Sequence, residues 1–224
     1  ENSTVSGNEA AAGGGIYLSP EAGLTILHSL TVTDNHATGS RDFSDNRVTG
    51  GLGNHAPPGA VRIQNSLVAG NSAPGQSQDC RGEFDSRGYN LIGMVGECSG
   101  FSVNDVRGSF EAPVDPMLTS LGNYGGGTRT HALLPGSPAV DAGPLPATGD
   151  CLDTDQRGLP RGIDGDLNGF VHCDIGAFEA AEGVAGDANL EVFLSSSPDP
   201  VAAGATIDYE VTIRNNGPAR ATGV

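Results

Sequence analysis

The 224-residue sequence contains no lysine and no tryptophan, and aromatic residues make up only 5% of it. All 11 basic residues are arginine, 27 residues are acidic, and the formal net charge is −16. A chain this negative is repelled by nucleic acid phosphates and by anionic lipid, so we expect neither as a partner. No apolar run approaches about 18 residues, so we also expect no membrane span.

Helical patterning is missing too, because no window keeps its apolar side chains at a period of about 3.6 residues. Glycine (35 residues) and proline (14) are abundant, and such a composition disfavours packed helices. Short runs of valine, isoleucine and leucine nevertheless recur regularly, which argues against disorder. The sequence therefore predicts an acidic, turn-rich, all-β protein.

None of the four cysteines lies in a CxxC pair, which disfavours a zinc ribbon or a thioredoxin-like redox site. Two structural disulfides are the simpler interpretation, with metal ligation or a reactive thiol as the alternative, and disulfides favour an extracellular or cell-surface location. Three connectivities are open. We favour neighbours in sequence, each closing a loop of about 20 residues and contributing about 3 kcal/mol: Cys80 with Cys98, and Cys151 with Cys173.

A nine-residue phrase occurs three times in the first third of the chain, as NSTVSGNEA, SLTVTDNHA and NSLVAGNSA. The alignment places three valines in register and three asparagines in register, at offsets of 27 and 36 residues: Val5, Val32 and Val68, and Asn8, Asn35 and Asn71. A repeat of short alternating segments predicts a solenoid, in which each turn adds strands to long parallel sheets.

In such a solenoid the valines point into the core and the asparagines lie at a turn. We expect each asparagine to tolerate the left-handed conformation, and its amide to bond to the asparagine of the next turn in a ladder. Short strands are also predicted at LTIL (24–27), AVRI (60–63) and GGGIYL (13–18). The unequal offsets require loops of different length, and we expect the polar segment Gly39–Pro58 to protrude.

Several longer phrases follow in a fixed order: NSLVAGNSA…QDCRG, SRGYNLIG…EC, DPMLTSLGNYGGGTRTHALLPGSPAVDAG, CLDTDQRGLPR and CDIGAFE. Over about residues 60–180 this order closely resembles the choice-of-anchor Q domain of bacterial surface proteins. The resemblance implies the C-terminal end of a right-handed parallel β-helix of the pectin-lyase-like type, in a secreted or surface-anchored protein. It implies no known activity. Strand-like pieces are expected at YNLIG (89–93), HALL (131–134), PAVDAG (138–143) and CDIGAFE (173–179).

The stretch after Gly186 resembles the opening strands of an immunoglobulin-like repeat of bacterial surface proteins, the domain of unknown function number eleven. Alternation in LEVFL and TIDYEVTI independently predicts strands there. The expected organisation is a β-helix over residues 1–180, a linker over 181–188 and an incomplete immunoglobulin-like β-sandwich over 189–224. Because Glu1 opens inside a repeat-like phrase, we expect a piece of a longer chain whose export signal lies outside it.

The segment DGDLNG (164–169) matches the opening of a calcium loop, D-x-D-x-(D/N)-G. Asp164, Asp166, Asn168 and the carbonyl of Phe170 would be ligands of a structural calcium ion. The twelfth position lacks the usual bidentate glutamate, and Asp174 could partly replace it. An ordinary acidic surface turn is the alternative.

No catalytic constellation stands out, although a glycosidase would need two carboxylates about 5–9.5 Å apart. A lyase would need a base, often arginine or lysine. The available carboxylate pairs could equally face water: Asp42 and Asp45, Asp79 and Asp85, and Asp153 and Asp155. We therefore predict a non-catalytic, monomeric surface module that contacts carbohydrate or protein. The alternative is a polysaccharide lyase or glycoside hydrolase, with its groove on the β-helix or on coils outside this segment.

Overall fold

The computed structural model describes residues 1–39, 48–74, 78–181, 190–197, 204 and 206–215. These ranges contain short strands, one 3₁₀ turn at Pro146–Thr148 and no α-helix. The strands are β1 Ser3–Ser6, β2 Glu9–Ala10, β3 Ile16–Leu18, β4 Thr25–His28, β5 Leu30–Thr33, β6 His36–Ala37, β7 Leu52–Asn54, β8 Val61–Gln64, β9 Leu67–Val68, β10 Cys80–Glu83, β11 Asp85–Ser86, β12 Leu91–Ile92, β13 Glu97–Ser99, β14 Val106–Arg107, β15 Leu190–Ser197 and β16 Asp208–Asn215. The predicted all-β class is confirmed.

The first fourteen strands form parallel sheets that the chain visits in rotation. The first sheet has the order β1-β5-β9-β12-β14, the second β3-β7-β10-β13 and the third β4-β8-β11, while β2 and β6 form a separate pair. The chain runs from the third sheet to the first and then to the second before it returns to the third; we call one such circuit a pass. Each strand therefore pairs with the strands of the neighbouring passes.

The repeated valines lie side by side on the first sheet, as predicted. Val5 pairs with Val32, Val32 with Val68, and Ile92 continues the row. Val32 and Val68 are fully buried and belong to the hydrophobic core between the sheets. Successive side chains of a strand point to opposite faces of the sheet. Leu67, which precedes Val68, therefore points away from that core and into a second hydrophobic cluster.

The left-handed residues do not coincide with the repeated asparagines, so that part of the prediction is wrong. The positive φ angles fall one position earlier, at Gly7 (69°), Asp34 (55°) and Gly70 (72°). This turn bends the chain just before each asparagine. The asparagine itself is then free to use both its backbone N–H and its side chain toward the next pass.

The prediction that Gly39–Pro58 forms a protruding loop is also wrong in part. Residues 40–47, including Asp42 and Asp45, lie outside the described residues. Residues 48–54, in contrast, are buried, and they include β7, which pairs with β3 and β10. The polar, glycine-rich sequence hid this strand because its buried positions are Gly50, Gly51 and Gly53, which let neighbouring backbones approach closely.

Residues 114–181, which we call the cap, return along the outer face of the first sheet. Their buried side chains, including Leu133, Ile175 and Phe178, form the second hydrophobic cluster with Leu67 and Leu91 of the sheet. The expected strands at 131–134, 138–143 and 173–179 are not formed; the described cap has isolated antiparallel bridges instead. Its backbone groups are satisfied by turns and side chains, which requires no regular strand.

Strands β15 and β16 form an antiparallel pair with eight residues on each strand. This confirms the strands predicted from alternation. One face of the pair carries apolar side chains that remain 38–67% exposed: Leu190, Val192, Leu194, Tyr209, Val211 and Ile213. The predicted linker falls almost entirely on residues 182–189, outside the described part of the chain.

Candidate functional site

The three repeated asparagines form a hydrogen-bonded ladder across successive passes. The Nδ2 of Asn8 donates to Oδ1 of Asn35 (2.9 Å), and Nδ2 of Asn35 donates to Oδ1 of Asn71 (2.9 Å). Eight residues further along the same pass, Asp79 stands where the next asparagine would be, and its Oδ1 accepts from the backbone N–H (2.8 Å) and Nδ2 (3.0 Å) of Asn71. The ladder therefore ends on a carboxylate.

Asp79 is only 4% exposed. Burial raises the pKa of its carboxyl group, because loss of solvation outweighs the hydrogen bonds donated by Asn71 and by the backbone of Met94. The sequence alone did not reveal this role. Asp79 follows Asn71 by eight residues instead of by the length of a full pass, and it belongs to a different residue type.

A second polar row follows another corner of the stack. The hydroxyl of Ser66 accepts from the backbone N–H of Leu30, and the backbone N–H of Ser66 donates to Oδ1 of Asn90 (3.0 Å). Asn90 in turn donates its backbone N–H and its Nδ2 to Oδ1 of Asp105 (2.8 and 2.9 Å). This row also ends on a carboxylate. Its members vary between serine, asparagine and aspartate, so the repeat did not reveal it.

The DGDLNG loop brings part of the predicted calcium set together. Carboxylate oxygens of Asp141, Asp164 and Asp166 lie within 4.8 Å of one another. Inside the loop, Asp164 accepts from the backbone N–H groups of Asn168 (3.1 Å) and Gly169 (2.9 Å). The sequence did not reveal Asp141 because this residue lies in a separate segment of the chain. Burial raises the pKa of its carboxyl group.

The other three residues of the predicted set lie outside this triad. Asn168 donates its Nδ2 to Asp166 and accepts from the N–H of Phe170, and the Phe170 side chain is 70% exposed. Asp174 is 1% exposed, and its carboxylate accepts from the backbone N–H groups of Asp141 (2.7 Å) and Ala180 (2.5 Å). Asp174 therefore braces the neighbouring cap segment, and Asp141 takes the position beside Asp164 and Asp166.

A buried ion cluster lies in the cap beneath that loop. Arg161 donates to Glu179 (3.2 Å), whose other oxygen accepts from the backbone N–H of Gly162 (2.7 Å). Beside this pair, the Nε of Arg157 donates to Asp155, and the Cζ of Arg157 lies 3.7 Å from the centroid of the Phe178 ring. Burial raises the pKa of Glu179. Burial also raises the pKa of Asp174 well above its usual range, and repulsion from Glu179 adds to that shift.

Polar contacts fasten the cap to the edge of the stack. The hydroxyl of Thr4 lies 2.7 Å from that of Thr130, and the hydroxyl of Ser6 lies 2.7 Å from Nε2 of His131. His131 is 1% exposed, and its Nδ1 lies 2.8 Å from the carbonyl of Thr119. Both ring nitrogens of His131 therefore have partners that hold the cap against the stack.

The carboxylates considered for catalysis are used differently where the structure describes them. Asp79 ends the ladder, and Asp85 forms ion pairs with Arg62 (3.4 Å) and Arg87 (2.7 Å). Asp155 is 3% exposed and bonded to Arg157, whereas Asp153 is exposed. Asp79 and Asp155 are thus engaged in buried bonds that hold the fold together, and Asp85 is engaged in ion pairs at the surface.

The four cysteines form two disulfides in the favoured pairing. Cys80 is joined to Cys98, with their Cα atoms 5.6 Å apart, and Cys151 to Cys173, at 6.4 Å. The first bond connects neighbouring strands of the second sheet inside the core. The second closes the part of the cap that contains the DGDLNG loop.

No family model, curated protein or solved structure matches the chain. Within the described ranges, no helix has the length and apolar character needed to cross a bilayer.

Proposed function

We propose that this chain is a non-catalytic surface module: the end of a right-handed parallel β-helix of the pectin-lyase-like type, closed by a cap of the choice-of-anchor Q kind. The rotation of the chain through three parallel sheets supports the β-helix. The observation that carries the functional part is the use of Asp79 and Asp155 in buried structural bonds and of Asp85 in two surface ion pairs. Bonds to arginine side chains and backbone amides account for these carboxylates without a catalytic role.

The module is proposed to work outside the cytoplasm. Its two disulfides are typical of oxidising compartments and would be reduced in most cytosols. The net charge of −16 favours contact with neutral or basic partners over anionic surfaces.

A panel of uronic and neutral polysaccharides, each with and without calcium, tests the functional proposal. We expect no new reducing ends and no unsaturated products with any substrate. Measurable turnover would instead assign the chain to the polysaccharide lyases or glycoside hydrolases.

The proposed cofactor is one structural calcium ion held by Asp141, Asp164 and Asp166. Three carboxylates with oxygens within 4.8 Å suit a hard cation that prefers oxygen ligands. Millimolar calcium should raise the melting temperature over that in chelator, and Asp164→Asn should remove most of the increase. The control Asp153→Asn removes an exposed aspartate elsewhere in the cap, and this variant should retain the calcium-dependent increase in melting temperature. Equal melting temperatures with calcium and with chelator would contradict the site.

Strands β15 and β16 are proposed to belong to an immunoglobulin-like β-sandwich. One face of the pair is apolar, and the opposite face carries mostly charged or hydroxylated side chains such as Glu191, Thr212 and Arg214. Such an amphipathic pair is the expected half of a sandwich in which a second sheet covers the apolar face.

A further inference from the structure

The DGDLNG loop contains the dipeptide Asn168–Gly169, in which an asparagine side chain can react with the backbone that follows it. In this reaction the backbone nitrogen of the next residue attacks Cγ of the asparagine and closes a five-membered succinimide ring. Glycine favours the step because it has no side chain to shield its nitrogen. A Cβ atom built at Gly169 would meet nothing within 4 Å beyond its chain neighbours, so the surrounding protein leaves this nitrogen accessible.

The loop places a hydrogen-bond partner on each of the three reacting atoms. The backbone N–H of Gly169, the nucleophile, donates to Oδ2 of Asp164 (2.9 Å). Oδ1 of Asn168, the oxygen on which negative charge develops, accepts from the backbone N–H of Phe170 (2.8 Å). Nδ2 of Asn168, the leaving group, donates to Oδ2 of Asp166 (2.8 Å).

These contacts suit the requirements of the ring closure. A carboxylate bonded to the attacking N–H is placed to take its proton. An N–H aimed at the carbonyl oxygen stabilises the negative charge that appears there. A turn that is already formed also avoids the ordering cost that a flexible chain meets before it reacts. Asn168 and Gly169 are both exposed, so water reaches the site.

We propose that Asn168 is a site of spontaneous covalent modification, at which the folded loop promotes cyclisation and deamidation. The N–H proton of Gly169 passes to Asp164 as the bond from the Gly169 nitrogen to Cγ forms. The bond from Cγ to Nδ2 then breaks, and solvent returns the proton to the departing nitrogen, which leaves as ammonia. Water opens the ring at either carbonyl, and the product at position 168 is aspartate or isoaspartate.

The chain provides an internal control in Asn123. This residue is also exposed, and its Oδ1 accepts from the backbone N–H of Gly125 (3.1 Å), so it lies in a turn of the same type. The residue that follows it is Tyr124, whose side chain shields the nitrogen that would have to attack. We therefore expect Asn123 to stay intact under conditions that modify Asn168.

The test is incubation of the full chain at neutral pH in chelator, followed by digestion and mass spectrometry of the peptides. In heavy-oxygen water, residue 168 should lose ammonia and take up one labelled oxygen, in two products of equal mass that chromatography separates. A synthetic peptide with the sequence of residues 162–172 gives the rate without the fold. We expect the folded chain to react at least about tenfold faster than this peptide. An equal or slower reaction in the folded chain would overturn the proposal.

A pair of variants tests the contact to the attacking nitrogen. Asp164→Ala removes the carboxylate that accepts from the N–H of Gly169, so it should slow the reaction about tenfold or more. Asp153→Ala removes an exposed aspartate elsewhere in the cap and should react at the parent rate. A parent rate in Asp164→Ala as well would contradict the proposed role of the loop.

One consequence rests on the proposed calcium ion. An aspartate at position 168 cannot donate to Asp166 as the amide does, and the resulting repulsion between carboxylates is relieved by a cation. The purified aspartate product should therefore show a larger calcium-dependent increase in melting temperature than the intact chain. Modification without any effect of calcium would contradict the ion alone, whereas a calcium effect without modification would contradict the reaction alone.

Discussion

Asn35 is the most heavily used side chain of the ladder. It is fully buried, its Nδ2 donates to Asn71 and to the carbonyls of Val5 and Thr33, and its Oδ1 accepts from Asn8. Asn35→Ala leaves several of these buried groups without partners, so we expect the free energy of unfolding to fall by about 2–4 kcal/mol. Urea denaturation followed by circular dichroism measures the change.

Asn8→Ala is the matched control for that substitution. Asn8 lies at the exposed end of the same ladder, where water can replace the lost partner. We expect a loss of less than about 1 kcal/mol. If the two variants lost the same free energy, the ladder would not be stabilising through burial.

The residue scale also shows what the sequence could and could not predict. The valine row and the asparagine ladder were predictable because the same residue type returns at the same point of each pass. Asp79 and Asp105 were not, because a carboxylate replaces the amide at the end of each row. Asp141 was missed because it reaches the acidic triad through the folding of the cap, and local spacing carries no sign of that.

Arg161 anchors the cap as an element. It is 8% exposed, donates to Glu179 and to the carbonyl of Gly176, and also bonds to the side chain of Asn2 in the first pass. Arg161→Ala would leave the buried Glu179 without its cation, so we expect a loss of about 3–5 kcal/mol. Arg129→Ala removes an exposed arginine of the same cap and should cost little. Thermal unfolding and limited proteolysis of the cap distinguish the two, and equal protease resistance would contradict this role.

Unlike the cap, the strand pair β15–β16 is expected to contribute little to stability, because a two-stranded sheet alone is only marginally stable in water. Its apolar face includes Leu194 at 67% and Tyr209 at 64% exposure. We expect a chain ending at residue 181 to keep its melting temperature within about 2 °C, because both hydrophobic clusters lie in residues 1–181. It should also aggregate less, since exposed apolar patches promote association. A fall of many degrees on truncation would mean that the pair stabilises the rest of the chain.

At the scale of the whole molecule, the buried carboxyl groups should oppose the usual loss of stability as the pH falls. Burial raises the pKa of Asp79, Asp141, Asp174 and Glu179. Between the ordinary carboxyl pKa, near 4, and these raised values, the folded chain binds more protons than the unfolded chain. The free energy of unfolding therefore rises as the pH falls through that window.

We expect the melting temperature, measured in chelator, to increase from pH 7 to about pH 5, before other carboxylates lose their ion pairs at lower pH. Lower self-repulsion of the −16 charge acts in the same direction. His28 opposes it, because burial lowers its pKa and protonation therefore destabilises the fold. Glu179→Gln should flatten the increase. A melting temperature that falls steadily from pH 7 would show that the buried acids do not dominate.

The architecture of the whole molecule was predictable only where the sequence is periodic. Repeated apolar and asparagine positions indicated the stacked parallel strands of residues 1–107. The cap has no repeat, and Ile175 and Phe178 are buried there from an irregular backbone that alternation cannot detect. Long-range contacts such as Thr31 to Ala177 decide its fold, and these leave no local signature.

The change from amide to carboxylate at Asp79 and at Asp105 gives the stack a direction. An amide can accept with one atom and donate with the other, so it relays a bond, whereas an ionised carboxylate can only accept. Both relays run the same way and are terminated by the aspartate. Another layer could join them in register beside Asn8, whose oxygen can still receive a proton donor. Beyond the aspartates the relay stops, because an ionised carboxylate has no proton to pass on; a neighbouring segment can only donate to it, as the backbone of Met94 does at Asp79.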